Sequence, residues 1–135
     1  MPVTRSRVSD RGSGIGPERA ARWLDALEVR RSRRSYDPSL APGAELDALE
    51  ALAAGFRPLA GARAVVVRKA SPSLFAGIVG AYGGVSGAPS ALVFAGSGAA
   101  PEAAGYTGEA LVLEATALGL DTCWVGGLFS ASTAA

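Results

Sequence analysis

Gly105-Tyr106-Thr107-Gly108-Glu109-Ala110-Leu111-Val112-Leu113-Glu114-Ala115-Thr116-Ala117-Leu118-Gly119-Leu120-Asp121-Thr122-Cys123-Trp124-Val125-Gly126-Gly127 is the stretch on which the reading of this chain turns. From Gly108 to Leu118 the residues are apolar nearly all round, broken only by Glu109, Glu114 and Thr116. Such a pattern predicts a helix that is buried deeply or packed between subunits. Gly119 is placed to end it in the left-handed conformation that only glycine adopts cheaply. Thr122 to Val125 then reads as a strand running into Gly126-Gly127. A strand ending in two glycines presents backbone N–H groups with no side chains in the way. That suits the close approach of a flat ligand, with Trp124 or Val125 covering one of its faces. A plain strand end with Cys123 and Trp124 as core residues would leave the same pattern. Glu109 and Glu114 stand five apart, so on a helix they diverge and do not form a carboxylate pair.

Working outward, the N-terminal half supplies a second constellation. Residues 1–16 read as a flexible arm rich in Arg, Ser and Gly, and residues 17–135 as one domain. Pro17 suits the first position of a helix that continues through Glu18 to Val29, with Ala21, Leu24, Ala26 and Leu27 as its apolar stripe and Trp23 beside it. Arg30-Arg31-Ser32-Arg33-Arg34 follows, then a turn at Tyr36-Asp37-Pro38. On an extended backbone Arg30, Ser32 and Arg34 face one side together. Two guanidinium forks flanking a hydroxyl make a good phosphate clamp, because each fork donates bidentate, charge-assisted hydrogen bonds. A solvated basic face, or a basic strip for RNA, is the plainer reading of the same residues.

Between the two lie a helix from about Ala44 to Ala54, a strand at Ala64 to Arg68, a short helix at Ser73 to Val79 and a second buried strand at Ser90 to Ala95. From Ala70 to Pro101 there is no charged residue. Its frequent glycines and prolines make it protein interior and tight loops, not a membrane span. Gly96-Ser97-Gly98-Ala99-Ala100-Pro101 mimics a dinucleotide fingerprint but lacks the third glycine and a well-placed acidic residue, so it reads as an ordinary strand-to-helix loop.

Composition narrows the chemistry further. The chain has 135 residues, 49% of them hydrophobic and 19% charged, and a formal net charge of +1. It contains no histidine, asparagine or glutamine. Histidine triads, Cys-His pairs, His-metal sites and imidazole acid–base catalysis are therefore excluded. The single cysteine, Cys123, forms no internal disulfide and no thiolate cage, and points to a reducing, cytoplasmic setting. The near-neutral charge argues against a dedicated nucleic-acid binder. A cofactor, or carboxylates, arginines and hydroxyls, must carry whatever chemistry the chain performs.

Three blocks taken together resemble the FMN-dependent nitroreductase family, in particular its branch with a Gly-Tyr-x-Gly-Glu helix and a Thr-Cys-Trp-Val-Gly-Gly strand. They are Arg30-Arg31-Ser32-Arg33-Arg34-Ser35-Tyr36, then Gly80-Ala81-Tyr82 through Gly87-Ala88-Pro89, then Gly105 through Phe129. The resemblance implies an α+β, nitroreductase-like fold: a central, mainly antiparallel sheet flanked by helices. It implies an oxidoreductase that binds FMN and passes hydride from NAD(P)H, through flavin N5, to a nitroaromatic, quinone or similar small molecule. It carries the phosphate to Arg30, Ser32 and Arg34, with Arg31 adjacent, and the isoalloxazine ring to Trp124, Val125, Gly126 and Gly127, with Gly126 as the donor to N5. It implies a homodimer with flavin at the subunit interface, where the Gly108–Leu118 helix is apolar enough to pack.

Two departures accompany the likeness. Phe56-Arg57-Pro58-Leu59-Ala60-Gly61 stands where many relatives have a Ser- and Asn-bearing loop that reaches the flavin. Family members also continue past this chain's last residue, so the resemblance implies a domain truncated before C-terminal elements that add phosphate ligands and a closing helix. A non-catalytic module that keeps the fold but has lost flavin, or binds another phosphorylated ligand through Arg30, Ser32 and Arg34, is the alternative.

Overall fold

The computed structural model describes residues 15–39, 43–75, 84–98 and 101–126. Helix α1 spans Pro17–Val29 and α2 spans Gly43–Gly55; strand β1 is Ala62–Arg68, β2 is Ser90–Gly96, and α3 is Pro101–Ala117. A 3-10 turn lies at Pro72–Phe75. Pro17 opens α1 as its sequence position predicts, because its missing N–H is one that a helix start leaves unpaired anyway.

The two strands are antiparallel, in register from Ala62 opposite Gly96 to Arg68 opposite Ser90. Side chains alternate along β1: Ala62, Ala64 and Val66 are buried against the helices, while Arg63 and Val65 face outward. Strand β2, expected to be buried, is half-buried from Ser90 to Phe94 and exposed at Ala95 and Gly96. Among the described residues, three helices on one two-stranded antiparallel sheet make an α+β arrangement.

Helix α3 is the centre of the core. Residues 110–115 are all buried, and the helix packs against α1, α2 and both strands. Leu111 is fully enclosed, which stabilises the fold by about 2–3 kcal/mol relative to leaving it in water. The helix is thus buried within its own chain. It also begins at Pro101, two turns before the expected Gly108, with Pro101 at its start and Glu102 in its first turn. Gly105 falls inside the added turns, and Gly108, expected as the first residue, lies well within the helix. At its other end Gly119, at φ +85°, donates to the Thr116 carbonyl, and Leu120 donates to the Ala115 carbonyl. This paired closure satisfies carbonyls that the helix end would otherwise orphan.

Helix α1 turns a different face inward from the one expected. Trp23 and Ala26 are buried, while Leu24 and Leu27 are exposed. The large ring wins the interior because it meets Phe56 edge-on at 6.1 Å and finds a polar partner for its N–H on α3. Helix α2 buries Leu49 and Ala53, four apart on one face, and Arg68 of β1 binds Asp47 and Glu50 on its outer side. Among the described residues no helix is long and apolar enough to cross a membrane.

Candidate functional site

The arginine-rich run leaves α1 in extended conformation at Arg30, with φ −60° and ψ 131°. Ser32 forms a parallel bridge with Thr122, and the Arg33 N–H donates to the Thr122 carbonyl at 3.0 Å. Thr122 to Val125 was expected as a strand; among the described residues only Thr122 of this run pairs, in its single bridge to Ser32. Further along, Ser35 bridges Ser86, with Tyr36 N–H donating to the Ser86 carbonyl at 2.9 Å and Ser86 N–H donating to the Arg34 carbonyl at 2.8 Å. Gly87 sits at φ +73°, so close to Tyr36 that a Cβ there would lie 2.3 Å from its carbonyl oxygen. Segments that open, divide and close the sequence therefore lie side by side. The earlier part of the middle block, through residue 83, falls outside the described residues, as do Gly127 and the rest of the C-terminus.

The four residues of the arginine run play different parts. Arg30 is half-buried, and its Nη1 is enclosed with no hydrogen-bond partner among the described residues. The Oγ1 of Thr122 is in the same condition. Buried donors without acceptors are uncommon, because each forfeits the hydrogen bonds it made to water. Ser32 and Arg34 are exposed. Arg31 instead folds back, donating to the Glu28 carbonyl at 3.0 Å and the Arg30 carbonyl at 2.7 Å. It closes the C-terminal end of α1, where a cation is favourable. Arg33 points toward Asp121, at 3.9 Å.

The Trp124 end of the site is built on α3. Trp124 is 45% exposed, and its indole N–H donates to Glu109 Oε2 at 2.8 Å. Phe94 of β2 packs against it, with ring centroids 5.3 Å apart and planes tilted by 36°. A Cβ on Gly108 would come within 2.4 Å of the indole. The glycine lets the ring lie against the helix backbone. Val125 is half-buried and Gly126 exposed, with open space where a Cβ would stand. Glu109 and Glu114 diverge, as their spacing predicts: Glu114 faces α1, and Glu109 faces Trp124. The reach of Glu109 to Trp124 was not readable from the sequence, since nothing local links a helix residue to one past its end.

Burial foremost, with Cys123 and Asp121 adding to it and Arg34 opposing, pushes the Tyr36 hydroxyl up to about 12. Tyr36 therefore stays neutral at physiological pH. The Phe56–Gly61 loop has structural work: Phe56 is core, and Arg57 donates to the Ala53 and Phe56 carbonyls at the end of α2. Leu24, Leu27, Trp23, Tyr106 and Glu109 line an apolar groove of about 390 Å³ between α1 and α3. Among the described residues no cluster of His, Cys, Asp or Glu could hold a metal ion.

Residues 23–135 match the family described as Putative TM nitroreductase. Comparison with curated proteins and with solved structures gives no match.

Proposed function

This chain belongs to the nitroreductase family and is an oxidoreductase of nitroreductase type, and from that premise we propose that it binds FMN and uses NAD(P)H to reduce a nitroaromatic, quinone or similar small acceptor. The observation that carries this reading is the bridge between Ser32 and Thr122, which sets the arginine-rich run beside an aromatic, glycine-ended one. The residues fit the cofactor. A phosphate oxygen would give the enclosed Arg30 Nη1 the acceptor it lacks among the described residues.

In this reading Arg30, Ser32 and Arg34 hold the phosphate, the guanidinium forks binding two oxygens each. Arg31 serves by fixing where α1 stops, so that Arg30 starts the extended run. Trp124 and Val125 cover one face of the ring and exclude water from it. Gly126, followed by Gly127, offers a backbone N–H to the ring edge. Bound FMN supplies the hydride chemistry, so a chain without histidine needs no acid–base side chain of its own. The active form is a homodimer with a cytoplasmic location, the exposed Leu24, Leu27 and Val29 of α1 supporting the first and the lone Cys123 the second.

The visible spectrum of the purified chain, incubated with excess FMN and passed through a desalting column, tests the proposal. Retained flavin absorbance that bleaches on adding NADPH anaerobically is expected. A colourless protein would leave a nitroreductase-like module without flavin.

A further inference from the structure

The chain has two tryptophans, and each donates its indole N–H to a glutamate of α3. Trp23 is enclosed, whereas Trp124 sits at the surface with its ring held on three sides. Gly108 lets the ring lie against α3, where any Cβ would collide with it. Phe94 meets it at 5.3 Å. Glu109 accepts its N–H at 2.8 Å.

These contacts do different things. The close approach at Gly108 and the packing of Phe94 locate the ring but read only its shape. The torsion joining an indole to its Cβ is broad and roughly two-fold, so shape alone leaves the ring free to turn over. A charge-assisted hydrogen bond to one named nitrogen removes that freedom, because only one orientation puts the N–H on the carboxylate. A surface aromatic ring that is already immobilised loses little further entropy when a flat ligand stacks on it.

We propose that Glu109 is a positioning residue that holds Trp124 as a preset wall for a planar, electron-poor ring. The identity of that ring as isoalloxazine rests on the flavin reading; the hold on Trp124 does not. Glu109 touches no ligand in this scheme and acts through Trp124 alone.

Indole N–H resonances of the uniformly 15N-labelled full chain, assigned with Trp124→Phe, provide the test. In Glu109→Ala the Trp124 signal should shift and its exchange with water should quicken by about tenfold, with the Trp23 signal unmoved. Glu109→Gln keeps an acceptor oxygen and should restore most of both. FMN affinity should follow the same order, about tenfold weaker in Glu109→Ala and within about twofold of wild type in Glu109→Gln. A Glu109→Ala chain whose Trp124 resonance and exchange match wild type overturns the proposal. So does a Glu109→Gln chain as weak for FMN as Glu109→Ala, which would make charge the agent and not the hydrogen bond. A wild-type chain that takes up no FMN overturns the flavin reading instead, and the indole resonances then decide the positioning role unaided.

Discussion

Trp23 with Glu114, and Trp124 with Glu109, are the same chemical pair set into opposite surroundings. In the first, the ring is 7% exposed and the glutamate 6%. The Trp23 N–H reaches Oε2 of Glu114 at 2.5 Å, Arg22 reaches the other oxygen at 2.6 Å, and Arg19 stands 3.8 Å away. A carboxylate taken out of water is tolerable only with such a set of donors around it. The pair joins α1 to α3 across 91 positions of sequence. In the second pair the glutamate has one donor, spans 15 positions, and leaves the ring open to solvent. Burial decides the difference. Enclosed, the hydrogen bond fastens two helices; at the surface it sets the attitude of a ring that remains free to meet something else.

The contrast breaks most visibly at Glu114. Glu114→Ala removes the acceptor of the buried Trp23 N–H and of Arg22, and should destabilise the chain by about 2–3 kcal/mol, with the partial exposure of Arg22 keeping the loss near the low end for a broken buried pair. Glu109→Ala should cost less than about 0.5 kcal/mol, as exposed polar pairs do. Urea unfolding of both variants measures this, and equal losses would erase the distinction between the pairs.

A finer probe uses the two helical glycines. Gly105 faces open space, so Gly105→Ala should stabilise α3 by about 0.5–1 kcal/mol. Gly108→Ala has the same helical benefit but must push Trp124 aside. It should bring no net gain and should weaken the near-ultraviolet circular dichroism of the displaced ring. A Gly108→Ala chain that is stabilised like Gly105→Ala with its aromatic signal intact would show that Trp124 does not rest on α3.

A further effect is alkaline. The folded state holds Tyr36 neutral up to about 12, above its ordinary 10.0. A raised folded value means that the stabilisation is complete below pH 10 and is lost as pH climbs through 12. Tyr36→Phe should flatten that part of the stability profile, as read by unfolding curves at pH 9 to 12. An unchanged slope would place Tyr36 outside the packed junction between the arginine run and Cys123.

Much of the fold could be read locally. Pro17 announces α1, the spacing of Leu49 and Ala53 gives α2, and the β-branched run of Val65, Val66 and Val67 gives β1. What escaped was decided between distant residues. The turns of α3 before Gly108 were not read, and Gly108 itself is helical in a place where an incoming indole leaves no room for a side chain. Leu24 and Leu27 fit a helical stripe, yet Trp23 took the interior because Glu114 and Phe56 were there to receive it. The candidate site was legible as two separate motifs, Arg30 to Arg34 and Thr122 to Gly127. Their contact at Ser32 and Thr122, and the hold of Glu109 on Trp124, depend on tertiary geometry that no local pattern encodes.

In the proposed function one end of this site reads a phosphate and the other a flat ring. Binding of FMN and of riboflavin, which lacks the phosphate, to wild type and to Arg30→Ala tests both ends together. Wild type should prefer FMN by about tenfold or more, and Arg30→Ala should collapse that preference while leaving riboflavin affinity within about twofold. Equal affinity of wild type for the two flavins, or a preference that survives in Arg30→Ala, would contradict the account.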